Sequence, residues 1–144
     1  LEGTKEKAAE GVRRGSYVLV EGSKETPDVI LLATGSEVQL AVEAAQTLES
    51  EGVAARVVSM PCMEWFLEQD AAYIESVLPA AVTARVSVEA GIAMPWHRFT
   101  GTTGRNVSLE HFGASAPFEK LFEEFGITAD AVVAAAHESI TASK

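Results

Sequence analysis

The stretch Val29-Ile30-Leu31-Leu32-Ala33-Thr34-Gly35-Ser36-Glu37 decides how this chain folds. Its first five residues are apolar without alternation, the pattern of a strand covered on both faces inside a parallel sheet. The small residues that follow make a tight turn into Val38, Ala41, Val42, Ala45 and Leu48, which recur at the spacing of one helix face. Gln39, Glu43, Gln46 and Glu49 lie opposite, so the pattern predicts an amphipathic helix over 36–50. Gly52 stops that helix, and the β-prone run ARVVSMP follows up to Pro61. Strand, turn, helix and strand make a βαβ unit.

Working outward, five β-prone segments are predicted: Tyr17–Val20, Val29–Ala33, Ala55–Met60, Ala84–Glu89 and Asn106–Glu110. A second helix is predicted over Asp70–Leu78, presenting Tyr73, Ile74, Val77 and Leu78 before Pro79 closes it. A third is predicted from the N-cap Ser115, with Phe118, Leu121, Phe122 and Phe125 on one face before Gly126. A fourth follows from Thr128. Only residues 21–28 join the first two strands, too few for a crossover helix, so these two are expected to be antiparallel neighbours. The fold class is therefore α/β, a five-stranded mixed sheet with four parallel strands and the first antiparallel, flanked by helices on both faces. Residues 15–144 read as one domain. Residues 1–14, charged and weakly periodic, read as an interdomain connection or a frayed terminus.

Composition narrows the function. The chain has 144 residues and 47% hydrophobic content, enough for one core. A net charge of −10 repels phosphate backbones, which excludes nucleic acid as an expected partner. No apolar run approaches the roughly 20 residues that cross a bilayer, and LEGTKEKAAEG is not signal-like, so no membrane partner is expected. The single Cys62 has no partner for an internal disulfide, which fits a reducing, cytoplasmic setting. Because the chain opens at Leu1 instead of Met, it reads as a portion of something longer.

In open parallel sheets ligands gather beyond the carboxyl ends of the strands, here Thr34–Ser36, Pro61, Glu89–Gly91 and Glu110–Gly113. The turn at Gly35, Ser36 and Glu37 exposes helix N-terminal amides suited to an anion. Against this, Glu37 adds negative charge, and neither GxGxxG nor a P-loop lysine is present, so a plain capped helix start is favoured. His97, His111 and His137 lack the paired spacing of a zinc site. Glu110 and His111 are adjacent in a strand and so point to opposite faces, which disfavours an acid/base pair. Cys62 has no recognisable activator and reads as a semi-buried small residue. The segment EAGIAMPWHRFTGTTGR (89–105) holds Met94, Trp96 and Phe99 among glycines. These three are candidates for an exposed interface, or for a satellite core folded under the loop.

Taken together, ATGSEVQLAVEAAQTL (33–48), VVSMPCMEWFLEQDAAYIESVLP (57–79), VEAG (88–91) and HFGASAP (111–117) resemble the C-terminal domain of transketolases, in order and over most of residues 15–136. Deoxyxylulose phosphate synthases and the β chains of 2-oxo-acid dehydrogenases have a similar third domain, but the SMP and FGASAP blocks look most like transketolase. Cys62 stands where Ser is common in the family, and GTTG (101–104) falls in a variable loop. The resemblance implies a two-carbon ketol transferase of the pentose phosphate pathway, with thiamine diphosphate and a divalent metal (Mg or Ca) held between the first two domains of a homodimer. It implies no catalytic, cofactor-binding or metal-binding residue in this chain, whose role would be structural and whose partners would be the remaining domains of the same enzyme. The rival expectations are a regulatory module binding a small anion or nucleotide near Thr34–Ser36, and a self-contained enzyme using Glu110 and His111.

Overall fold

A computed structural model describes residues 4–91, 93–108, 123 and 126–144 of the chain. Five strands form one sheet: β1 (Tyr17–Val20), β2 (Val29–Ala33), β3 (Ala55–Ser59), β4 (Arg85–Glu89) and β5 (Arg105–Ser108), in the spatial order β1-β3-β2-β4-β5. The described helices are α1 (Thr4–Arg14), α2 (Val38–Ser50), α3 (Met63–Leu67), α4 (Ala71–Val77), α5 (His97–Thr100) and α6 (Ala129–Ala142). Short 3₁₀ turns precede α2 at Gly35–Glu37 and α5 at Met94–Trp96.

β2 lies at the centre, parallel to β3 on one side and to β4 on the other. All five of its residues are fully buried. Because side chains alternate across a strand, Val29, Leu31 and Ala33 enter one core with Ala41, Ala45 and Leu48 of α2 and Val132 and Ala136 of α6. Ile30 and Leu32 enter a second core with Phe66, Val77, Trp96 and Phe99. One strand thus feeds two hydrophobic layers, each large aliphatic side chain contributing about 1.5–3 kcal/mol by leaving water.

The sheet is mixed as expected, but β1 and β2 are not neighbours. β1 pairs antiparallel with β3, which stands between them. The short connection permits this because β1 ends at the edge where β2 begins, so residues 21–28 need span only two strand spacings, about 10 Å. Gly22 carries the connection over the start of β3 with φ +81°, and a Cβ there would lie 2.8 Å from the Ala55 carbonyl oxygen.

The sequence reading missed three elements. Residues 4–14 form α1, and its Gly11 leaves room for the ring of Tyr17. Residues 63–67 form α3, and the segment read as a loop over 89–105 contains a 3₁₀ turn and α5. Asp70 caps α4 by accepting from the Tyr73 amide at 2.8 Å, and Thr128 caps α6 by accepting from the Ala131 amide at 3.1 Å. The helix expected from Ser115 lies outside the described residues.

Two arginines near the starts of β3 and β4 hold the second layer in place. A helix leaves its last carbonyls without intrahelical donors, at the negative end of its dipole. Buried Arg56 donates through Nη1 to the Ser76 and Val77 carbonyls (3.1 and 3.3 Å) at the end of α4, and through Nη2 to Glu25 O (3.2 Å). Arg85 donates through Nη2 to Leu78 O and Pro79 O (3.4 and 3.0 Å), through Nε to Val82 O (2.9 Å) and through Nη1 to Phe99 O (2.9 Å). On the other face, Ser139 of α6 accepts from the Arg85 amide (3.1 Å) and donates to Thr103 O (2.8 Å).

The route of the β1–β2 connection makes a paired prediction. Gly52 also has positive φ (+82°), but a Cβ there meets nothing within 4 Å. Gly52→Ala should cost about 1 kcal/mol, from backbone conformation alone. Gly22→Ala should cost clearly more in urea denaturation, because the Ala55 carbonyl must also move; equal costs would contradict the crossing.

Candidate functional site

At the carboxyl edge of the sheet, the 3₁₀ turn after β2 brings Glu37 back over the turn, where it is buried. Its Oε1 accepts from the Ala90 amide at 3.1 Å and its Oε2 from Ser36 Oγ at 3.2 Å. Glu89, the last residue of β4, lies close enough to feel the charge of Glu37, and its Oε2 accepts from Trp96 Nε1 at 3.3 Å. Burial above all, and then the Glu37 charge, push the Glu89 carboxyl above the ordinary range, against the lowering effect of the Trp96 hydrogen bond. At the turn of Gly35, Ser36 and Glu37, the carboxylates of Glu37 itself and of Glu89 disfavour an anion.

Met94, Trp96 and Phe99 separate. Trp96 is 1% and Phe99 5% exposed, both in the core that β2 shares with Phe66, whereas Met94 is 74% exposed. Of the three, Met94 alone is exposed. The 3₁₀ turn and α5 rotate the two rings inward, where Phe99 packs against both Phe66 and Trp96 with ring centres 6.2 and 6.3 Å apart. Two further exposed apolar groups, which the sequence pattern did not single out, lie on α3: Leu67 at 39% exposure, which shares a hollow with Met94, and Trp65 at 50%. A hollow of about 410 Å³ between α3 and the 3₁₀ turn is lined by Met63, Leu67, Met94, Pro95 and Phe99, with the charged Glu64 and Arg98 also in its wall.

The remaining candidates do not converge. Cys62 is half-buried, and its Sγ donates to Glu64 Oε2 at 3.4 Å; among the described residues no cation is in contact to favour a thiolate. His97 neighbours Asn106 at 3.3 Å, and His137 pairs with Glu51 of the α2 C-terminus at 2.7 Å. Glu110 and His111 lie outside the described residues. Among the described residues no three His, Cys, Asp or Glu side chains gather to hold a metal, so the divalent ion implied by the resemblance has no fitting donor set there. No described helix is long and apolar enough to cross a membrane.

Residues 15–128 match the family described as Transketolase-like TK C-terminal domain. The chain belongs to the transketolase C-terminal domain family. It is 55% identical over 141 residues to a transketolase of Mycobacterium leprae (strain TN), covering 96% of this chain and 20% of that protein. A solved transketolase from Leishmania mexicana superposes with a TM-score of 0.83 at 42% identity, over 92% of this chain and 19% of that one. A split gene transketolase, described as an inactive β4 tetramer, superposes with a TM-score of 0.69 at 31% identity, over 92% of this chain and 44% of that one. The chain thus spans about a fifth of the curated relative's length. The transketolase C-terminal domain fold, with its antiparallel first strand and otherwise parallel sheet, is the fold described above.

The strained carboxyl at the sheet edge sets a pH dependence. A carboxyl raised in the folded state contributes stability at pH values below its unfolded pKa, and this is lost as pH rises through the folded value. Glu89 therefore opposes folding at neutral pH. Glu89→Gln, which keeps an acceptor for Trp96 but removes the charge, should raise the Tm at pH 7 and leave it unchanged near pH 4. A lower Tm at pH 7 would show the charge to be stabilising.

Proposed function

We propose that this chain serves as the C-terminal domain of a transketolase, an assembly module that seats against the other domains of the enzyme through the apolar face of α3 and the Met94 turn. The observation that carries this reading is the exposure of Leu67 and Met94 around one hollow, with Trp65 exposed on the same short helix as Leu67, in a chain that spans a fifth of its relative. Large apolar groups rimmed by polar ones mark protein-protein contacts, and Trp and Met are enriched at interface cores.

In this reading, residues 1–14 connect to the preceding domain and residues 15–144 form the C-terminal unit. The complete enzyme transfers a two-carbon ketol unit between sugar phosphates of the pentose phosphate pathway. Thiamine diphosphate with magnesium or calcium supplies the chemistry from the other domains of a cytoplasmic homodimer. This chain's own residues position and bury; they do not touch the reacting atoms. The split gene transketolase, in which the matching segment covers 44% of one chain, fits a unit that can be carried apart from the other half of such an enzyme.

The test compares a surface and a core substitution. Met94→Asp should leave the stability of the isolated chain within about 0.5 kcal/mol while weakening assembly of the intact transketolase by about 2 kcal/mol or more, read by sedimentation. Trp96→Ala should instead cost about 3–5 kcal/mol of folding stability in the isolated chain. Unchanged assembly of the Met94→Asp enzyme would refute docking through this face.

A further inference from the structure

Near the amino edge of the sheet stand Arg56, Arg85 and Arg105, early in β3, β4 and β5, with Arg56 and Arg105 paired to glutamates. Thr83 leads into Arg85 at the start of β4, and the turn Gly101–Gly104 leads into Arg105 at the start of β5. Between these two entries lies a cavity of about 330 Å³, lined by Arg85, Arg98, Thr83, Thr102 and Thr103 together with Gly101. That volume sits at the small end of the about 300–1,000 Å³ typical of ligand pockets. Its lining carries two guanidinium groups and no carboxylate, in a chain whose net charge is −10.

The two arginines differ in a way that suits a ligand. Arg85 is fixed: its hydrogen bonds to Leu78, Pro79, Val82 and Phe99 carbonyls lock the guanidinium in place. A guanidinium has five N–H donors, so at least one on Nη1 is not taken by these four carbonyls. These four partners are neutral carbonyls, and Glu75, the carboxylate whose charge acts on Arg85, does not line the cavity. Arg98, one turn into the same wall, has no hydrogen-bond or ion-pair partner among the described residues and is exposed. Arg14, Lys24, Arg56 and Arg105, by contrast, each pair with a carboxylate. A fixed cation with a free one at the rim, framed by threonines, is the donor set for an oxyanion: planar guanidinium forks match phosphate and carboxylate geometry.

We propose that this amino-edge cavity binds a small phosphate-bearing ligand, with Arg98 closing on the phosphate over the immobile Arg85. Arg98 and Phe99 also line the hollow beside Met94, so the two sites adjoin; the phosphate site is tested on the isolated chain, where docking plays no part. It also relocates the anion expected at Gly35–Glu37, where Glu37 and Glu89 repel negative charge, to a cavity lined by two guanidinium groups and no carboxylate.

The experiment is an amide NMR titration of the 144-residue chain with inorganic phosphate at constant ionic strength, with chloride as the control and glycerol phosphate and glycerol as the organic pair. Saturable shifts at Arg98, Gly101, Thr102 and Thr103, absent with chloride and glycerol, are expected. Arg98→Gln should weaken the affinity about tenfold, as loss of one charge-assisted contact requires, and should leave the remaining spectrum in place because the side chain is exposed. Glycerol phosphate binding more tightly than phosphate identifies an organic phosphate as the ligand, while equal affinity identifies the free ion; both support the site. Non-saturating shifts spread over surface lysines, saturable shifts at Gly35–Glu37 instead, or an affinity unaffected by Arg98→Gln would overturn it.

Discussion

The structure depends on β2 being buried on both faces. Five consecutive apolar residues with no exposed side chain require a strand on either side and a helical layer above and below. Each requirement is met by a different part of the chain. β3 and β4 flank β2 in parallel; α2 and α6 cover Val29, Leu31 and Ala33, and the Phe66–Trp96–Phe99 layer covers Ile30 and Leu32. The second layer is built from short elements with little helical stability of their own, which is why it is tied to the sheet by side-chain hydrogen bonds. Arg56 and Arg85 supply these ties at the end of α4.

The same construction places Arg56 and Arg85 at one edge of the sheet and Glu37 and Glu89 at the other. Strands β3 and β4 run parallel, so the arginines placed early in each fall on one edge, while Glu89 at the end of β4 and Glu37 after β2 fall on the other. Parallel sheets ordinarily gather ligands at the carboxyl edge. Here that edge is occupied by the chain's own carboxylates, hydrogen bonded to Ala90, Ser36 and Trp96.

Much of the fold was legible because it rests on local periodicity. The unbroken run VILLA placed the central strand, the spacing of Val38 to Leu48 placed α2, and the caps Asp70 and Thr128 marked two helix starts. What escaped was set by tertiary contact. The position of β1 beside β3 depends on a connection whose eight residues fit either pairing. α3 and α5 are too short, at 5 and 4 residues, to show a period. The burial of Trp96 and Phe99 and the exposure of Trp65 and Leu67 follow from how those short helices turn, which spacing cannot reveal. One signal was available: Ala55-Arg56-Val57 and Ala84-Arg85-Val86 each place an arginine at the head of an otherwise apolar strand, a position where a buried guanidinium must have a structural partner.

Amide hydrogen exchange, measured on the isolated chain and on the intact transketolase, tests the account most directly, since it reports local opening segment by segment. The account predicts that the β2 amides exchange slowest in both, at the rate of global unfolding, and that residues 63–67 and 93–98 gain protection only in the intact enzyme. Faster exchange in β2 than in the edge strands, or no gain over 63–67 and 93–98, would contradict it.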